Sequence, residues 1–589
     1  MATGLARHLP ILEWGRGYGR STLTADLVAA AVVTVMLIPQ SLAYATLAGL
    51  PAQMGLYASI APLAAYALLG TSRTMAIGPV AVVSLMTASA ASRVAAQGSP
   101  QYVQAALILA LLSGAMMLLM GLLRMGGLAK LLSTPVVNGF TVASSVIIAA
   151  SQIGALLGVK TSGQTLYAIG HSLAARLGGF NPWTAIIGAG AVVFLFWIRQ
   201  GLKPLLMRLG LGPAAAGLVA KAGPVLAIVA STLAVTTFGL AGRGVATVGA
   251  IPVGLPPLTP PPAAGPLWLQ LVLPALFISI IGFVSSISVA QALAARRRQR
   301  IDPSQELVGL GVANVVAALT GGFPITGGFA RSVVNFDAGA ETPAAGAFTA
   351  VGLALAALLL TPLLFFLPIA TLAATIVVAV LSLIDVADMA RVWRYSRRDF
   401  AAMAATIAVT MVVGVEAGLA TGVGLSILLY LHRSSQPHVA VVGQVPGSQH
   451  FRNVDRHDVI TAPNVLTLRI DESLTFTNAA WLEEMVLGLI ARQPAVRDVV
   501  LMCSAVNAID ASALESLKAL NATLRDAGVK LHLSEVKGPV MDRLNRAAFT
   551  EALTGRVFLS QYEAFRALAP GVCDSRALDL AQNIEGEGI

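Results

Sequence analysis

Two Gly- and Pro-rich stretches hold the residues of this 589-residue chain that are best placed to do chemistry. The first reads GTSRTMAIGPVAVVSLMTASA from Gly70 to Ala90, and the second TGGFPITGGFARSVVNFDAGA from Thr320 to Ala340. Each is an extended, turn-rich piece followed by an apolar run, near 78–91 and 327–337, too short to cross a bilayer. If two such half-helices meet tip to tip, their unpaired N–H groups and positive dipole ends converge on one point. That arrangement favours a small anion and repels a cation. Pro79, Val80 and Ala81 at one tip and Gly328, Phe329, Ala330 and Arg331 at the other would line such a pocket. Small residues also serve close helix packing, but a matched pair in corresponding positions of two halves points to a transport site at the membrane midplane.

Arg331 is a charge inside an apolar segment, so attracting the anion is its expected role. Local pairing with Asp337 or Glu341, or snorkelling to an interface, is the competing reading. Gln40 and Tyr44 lie one helical turn apart beyond Pro39, sharing a face that presents an amide and a phenol to a ligand or to a neighbouring helix. No phosphate-cradling G-x-x-x-x-G-K-[ST] run and no catalytic constellation occurs, which argues against an enzyme or an ATP-driven pump. Cys503 and Cys573 suit neither a disulfide framework nor zinc, so no metal and no cofactor is expected, beyond a proton or sodium ion as a candidate for co-transport with the anion.

The elements that must position these residues are membrane segments. The chain is 56% apolar and 11% charged with a mean hydropathy of +0.78, whereas soluble domains carry about 25% charged residues. Residues 1–433 hold 24 Lys and Arg against 10 Asp and Glu, and residues 434–589 hold 14 against 18. A membrane domain over 1–433 is therefore expected to precede a soluble domain over 434–570 and a flexible tail over 571–589. Fourteen apolar runs are read at 24–46, 54–70, 78–91, 103–122, 135–158, 183–200, 222–240, 267–292, 305–321, 327–337, 343–361, 364–384, 399–414 and 417–432. With both termini cytoplasmic, 18 Lys and Arg fall on the cytoplasmic side and four (Arg93, Lys160, Arg176 and Arg243) on the other. An even number of spans is what yields that positive-inside bias. The run Arg296-Arg297-Arg298-Gln299-Arg300 is read as one such anchor, and the net charge of +10 needs no nucleic-acid partner. No cleaved signal peptide is indicated, and a multi-pass protein of the plasma membrane is expected.

Several long motifs in order resemble the sulfate permease family of anion transporters, whose animal members include prestin and pendrin. They are IPQSLAYATLAGLPAQMGLYAS (Ile38 to Ser59), GTSRTMAIGPVAVVSL (Gly70 to Leu85) and DPSQELVGLGVANVVAALTGGFPITGGFARSVVNFDAGAETPAAGAF (Asp302 to Phe348), together with the C-terminal region. The resemblance implies two inverted repeats of seven segments, divided into a core and a gate, with an anion held between segments three and ten. It further implies a homodimer and a cytoplasmic α/β STAS (sulfate transporter and anti-sigma-factor antagonist) domain, with a possible cytosolic protein partner. Matched residue by residue, the family's anion site falls on Gln40, Tyr44, Ala76, Ile77, Gly78, Pro79, Val80, Ala81, Gly328, Phe329, Ala330 and Arg331.

The chain departs from the family in two places within the membrane. Many bacterial relatives place a carboxylate in the eighth segment that helps a coupling cation; GFVSSISVAQALA puts Ser285 there, and a neutral hydroxyl supplies neither a titratable proton near neutral pH nor a charge for sodium. The position before the arginine, often Ser, is Ala330. Glu306 and Glu416 are the other candidate coupling acids, with a structural partnership near a segment end as the favoured alternative for both.

In the C-terminal region, VLTLRI (465–470), VVLMCS (499–504) and VKLHLS (529–534) read as strands, and 512–524 and 540–548 as helices of a mixed or parallel sheet. IDASALESL (Ile509 to Leu517) resembles the STAS phosphorylation loop, but Ala511 stands where the antagonist proteins phosphorylate a serine, leaving Asp510 and Ser512 as helix caps. The function expected from all this is secondary active transport of a small inorganic oxyanion, sulfate first. Bicarbonate or a fumarate-like dicarboxylate, by symport or exchange, comes next, and a passive anion channel or a non-transporting sensor is the alternative of another class.

Overall fold

The structure, a computed structural model, describes residues 9–573 apart from 131–132, 211, 213–215, 218–219, 221–222, 251, 253 and 263–264. Most of the expected tail, 574–589, therefore lies outside the described residues. The chain divides into two units, Met1–Ser426 and Ile427–Ile589.

The first unit is helical, and its helices fall where uninterrupted apolar sequence can satisfy every backbone group internally. We number them α1 (Arg20–Leu47), α2 (Gln53–Leu69), α3 (Ala81–Val94), α4 (Pro100–Leu122), α5 (Thr134–Leu157), α6 (Pro182–Trp197), α7 (Gly223–Thr237), α8 (Pro266–Arg296), α9 (Pro303–Leu319), α10 (Phe329–Asp337), α11 (Ala344–Leu359), α12 (Ile369–Leu381), α13 (Arg397–Val412) and α14 (Val415–Ser435). The expected boundaries match to within five residues, the largest shift being the start of α12, where Thr361–Leu364 forms a separate 3₁₀ turn. Short helices at Leu166–Arg176 and Val386–Tyr395, not foreseen in the sequence, join α5 to α6 and α12 to α13.

The helices sort into two groups by what they pack against. In one, α9 lies against α4 and α2, α8 against α4 and α3, and α11 against α1 and α2. In the other, α5 lies against α12 and α13, and α6 against α12 and α7; α14 joins this second group, a Cβ on its Gly422 lying 2.5 Å from Val136 of α5 and 2.7 Å from Thr406 of α13. These are the core and the gate. One close core crossing is between backbones: a Cβ on Gly114 of α4 would sit 2.7 Å from Val315 N, and one on Gly311 of α9 would sit 2.7 Å from Leu118 N. Where lipid is as apolar as leucine, such close approach is what holds helices together.

The second unit carries a six-stranded sheet, β3 (Val439–Gln444), β4 (Phe451–Asn453), β5 (Val465–Ile470), β6 (Asp498–Met502), β7 (Lys530–Ser534) and β8 (Val557–Phe558), in the order β4-β3-β5-β6-β7-β8. Strands β5 to β8 run parallel, and β3 is antiparallel to both its neighbours. Helices α15 (Ala479–Arg492), α16 (Ala511–Asp526), α17 (Gly538–Arg546) and α18 (Gln561–Leu568) complete it. The core packs Leu468 and Leu501 of the sheet with Leu517 and Leu524 of α16. Asp510 caps α16, its Oδ1 accepting from Ala513 N at 2.8 Å, while its Oδ2 accepts from Phe476 N at 2.8 Å. Ser512 is no part of this cap, and Ala511 opens the helix. Burial lowers the pKa of His532, which stays neutral by accepting from Arg556 N at Nδ1 while Nε2 faces Asp498 Oδ1 at 3.0 Å.

Candidate anion site

Between α2 and α3 the chain runs extended as β1 (Ile77–Gly78), and between α9 and α10 as β2 (Thr326–Gly327). The two pair antiparallel, Ile77 with Gly327 and Gly78 with Thr326, so the equivalent breaks of the two seven-helix halves cross each other. Gly328 N donates to Ala76 O at 3.0 Å, and Ala76 N donates to Ser332 Oγ at 3.0 Å. At the usual rise of a helix, α3 and α10 span only about 21 and 14 Å. Neither N-cap residue, Val80 or Gly328, supplies a side-chain bond, so the first N–H groups of both half-helices lack a capping partner.

Buried polar side chains hold this crossing in place. Glu306, on α9, is fully buried and accepts from Tyr66 Oη at 2.7 Å, Thr71 N at 2.6 Å, Thr71 Oγ1 at 2.5 Å and Ser72 N at 2.8 Å, pinning the loop that leads into β1. Asn314, just over two turns beyond it on α9, takes both backbone groups of Ile325, at 2.9 and 3.0 Å, and so fixes the approach to β2. Asp26 of α1, also fully buried, accepts from Glu341 N at 2.8 Å and from Thr342 Oγ1 at 2.5 Å, holding the loop that leaves α10. A carboxylate this deep is tolerable because each oxygen is met by donors.

Arg331 is the largest fully buried side chain, 2% exposed. Its Nη1 donates to Pro79 O at 2.6 Å, while Nε and Nη2 have no hydrogen-bond partner among the described residues. A Cβ on Gly328 would come within 2.8 Å of Nη2, and Gly78, at φ +146°, leaves its hydrogen where a Cβ would lie 3.4 Å from the same atom. The guanidinium thus reaches from one half-helix to the other through space that glycine leaves open. It neither pairs with Glu341, whose Oε2 accepts from Thr22 Oγ1, nor snorkels outward.

A cavity of about 1060 Å³ adjoins the crossing. Gln40, Tyr44, Val80, Ala81, Ser285, Gly328, Phe329, Ala330 and Arg331 line it together. The side chains of Gln40 and Tyr44 make no hydrogen bond among the described residues. Ala76, Ile77, Gly78 and Pro79 lie behind that wall, because their backbone groups are spent on the strand pairing and on Arg331. Glu306 and Glu416 do not reach the cavity either: the first is the brace just described, and the second faces Arg93 at 2.7 Å. The gate side of the wall includes residues that sequence reasoning passed over: Thr134 and Asn138 at the start of α5, Arg199 just past α6, and Asp385 and Asp388 at the start of the short Val386–Tyr395 helix. Asn138 Nδ2 donates to Asp388 Oδ2 at 2.7 Å. No spacing in the sequence joins these positions; only the packing of α5 on α12 does. Within the Arg296–Arg300 run, Arg297 proves to be more than a surface anchor. It caps the far end of α10, donating to Ala340 O at 2.5 Å and Phe336 O at 3.3 Å with its guanidinium 4.5 Å from the Phe336 ring.

Comparison with known proteins agrees with this architecture. The sulfate permease family model matches residues 23–406, and the STAS domain model matches residues 456–564. "Sulfate transporter 4.1, chloroplastic" of Arabidopsis thaliana is 33% identical over 563 residues, covering 92% of this chain and 79% of that one. "Probable sulfate transporter Rv1739c" of Mycobacterium tuberculosis is 34% identical over 543 residues, covering 91% and 94%. The fold is shared with the structure of SLC26A9 at a TM-score of 0.86 and 21% identity, over 99% of this chain and 95% of the other. Two crossed half-helices inside a fourteen-helix membrane unit, followed by a STAS domain, place the chain in a family that the match over most of its membrane unit names directly: it belongs to the sulfate permease family.

Proposed function

We propose that the protein is a secondary active transporter, not an enzyme, that carries a small oxyanion, sulfate first, across the plasma membrane by alternating access of the core against the gate. One observation carries the reading: a fully buried arginine, with two of its three nitrogens unpartnered, lies between two half-helix tips and opens into a cavity. A desolvated guanidinium with free donors is a fork for two oxygens of an oxyanion, and the uncapped N–H groups of α3 and α10 complete the cradle. Sulfate leads because the curated relatives are named for it. The positive-inside bias supports a cytoplasmic placement of both termini and the STAS domain, on the side where Arg199 and Asp388 line the mouth read for the cavity. The protein is read as a homodimer, with a cytosolic protein as the possible partner of the STAS domain.

Of the three candidate coupling residues only Ser285 faces the cavity. Its hydroxyl offers no charge to sodium and no titratable proton, so exchange of one anion for another is the proposed mode, without a bound cofactor. The test is uptake of radiolabelled sulfate, bicarbonate and fumarate into proteoliposomes, with proton, sodium and counter-anion gradients imposed one at a time. Sulfate accumulating only against a trapped internal anion is the expected result. Cation-driven accumulation would overturn exchange, and equilibration without any accumulation would favour a channel.

A further inference from the structure

At the end of the membrane unit opposite the cavity mouth, the last turn of α3 is fastened to the gate. Arg93 Nη1 lies 2.7 Å from Glu416 Oε2 in the first turn of α14. One turn earlier on α3, Ser89 Oγ donates to Gln164 Oε1 at 3.3 Å, and Gln164 Nε2 donates to Ser89 O at 3.2 Å. Ser89 and Arg93 are four residues apart and so share one face of the helix. Two points on the anion-holding half-helix of the core are thus tied to two separate parts of the gate, the start of α14 and the loop between α5 and α6.

The ion pair is lopsided. The Glu416 side chain is 10% exposed and that of Arg93 is 52% exposed, and Glu416 Oε1 has no hydrogen-bond partner among the described residues. An exposed ion pair contributes little to holding two elements together, but here the carboxylate is compensated by a single guanidinium and is otherwise desolvated. If Arg93 withdraws, Glu416 is left as a buried, unpaired charge until water reaches it. Water reaches it when this end of the path opens. The pair therefore favours the closed arrangement while it is dry, and gives way without a lasting penalty once the crevice is wet.

We propose that Arg93–Glu416, with Ser89–Gln164 beside it, is the latch that keeps the outer end of the transport path shut while the cavity is open at the other end, and that it parts each time the core moves against the gate. The proposal rests on the alternating-access reading above. It gives Glu416 a conformational role instead of the coupling role considered for it.

The test is a distance measurement that does not depend on transport. In full-length protein in lipid nanodiscs, with Cys503 and Cys573 replaced by alanine, spin labels are placed at Ala96 and Val413, exposed positions just beyond α3 and just before α14. Pulsed electron–electron resonance then reads the separation between core and gate at this end. Arg93→Gln and the isosteric Glu416→Gln should each raise the share of a longer-distance population about five-fold, the scale a partly buried ion pair supports. The double variant should do no more than either single change, and the swap Arg93→Glu with Glu416→Arg should return the short distance. An unchanged distance distribution in both single variants would overturn the latch. Failure of vesicles to accumulate any anion would count against the proposed function and leave this readout intact.

Discussion

The two half-helices occupy equivalent places in the two halves of the molecule, yet they carry different burdens. Helix α10 is nine residues long, carries a buried arginine near its tip, and is tied within the core: Asn335 to Thr74 O, Arg297 at its C-terminus, and Asp26 at the loop beyond. Helix α3 is fourteen residues long, carries no charge at its tip, and contacts the gate at its far end through Ser89 and Arg93. One half-helix thus supplies the fixed positive charge. The other supplies backbone N–H groups and the mechanical connection. A repeat that began as two similar units can divide labour this way because dipole ends are equivalent, whereas a desolvated arginine is costly enough that one suffices.

This division is easiest to break at Arg331. Arg331→Ala should weaken sulfate binding by about a hundred-fold or more, roughly 3 kcal/mol for losing a desolvated partner of the anion, with the protein still folded by its thermal melt; equilibrium binding to purified protein reads it. Next in size is Gly328→Ala, whose methyl would sit 2.8 Å from Arg331 Nη2 and push the guanidinium out of line. An increase of about ten-fold in KM is expected, because even a small misplacement of a positioning group is expensive. At the matching tip of α3, Val80→Ala removes no donor and should leave KM within about two-fold, which sharpens the contrast. Arg297→Gln takes away the cation at the C-terminus of α10, an effect of about 1 kcal/mol, seen as a five-fold loss of affinity with little change in maximal rate. Smallest is Ser285→Glu, which puts a titratable group on the cavity wall: sulfate uptake should become pH-dependent by about two-fold across the titration of the new carboxyl, where the parent protein shows none.

Much of the membrane unit was legible because its signal is local. Uninterrupted apolar sequence marks a helix wherever lipid forbids unsatisfied backbone, and the Gly/Pro breaks at Gly78–Pro79 and Gly327–Gly328 marked where the helices stop. Gln40, Tyr44 and Arg331 were legible for the same reason: each is a polar residue in an apolar run. What escaped were contacts between segments far apart in sequence. Ala76 to Pro79 looked like pocket wall, but the pairing of β1 with β2 turns their backbone away from the cavity. Glu306 could not be told from a coupling acid until Tyr66, Thr71 and Ser72 were seen to fill its valences. Arg297 was indistinguishable from its neighbours Arg296 and Arg298 until α8 was placed beside α10. In the C-terminal domain, the strand at 465–470 is legible residue for residue, while β3, β4 and β8 are held by pairing rather than by their own pattern.

The central claim, that an oxyanion sits between the two half-helix tips against Arg331, is most directly tested by a cryo-EM structure of the full-length protein with selenate as a heavier stand-in for sulfate. A single anion density is expected within hydrogen-bond distance of Arg331 Nε and Nη2 and of the first N–H groups of α3 and α10. Density at the mouth beside Arg199, with the crossing empty, would contradict it.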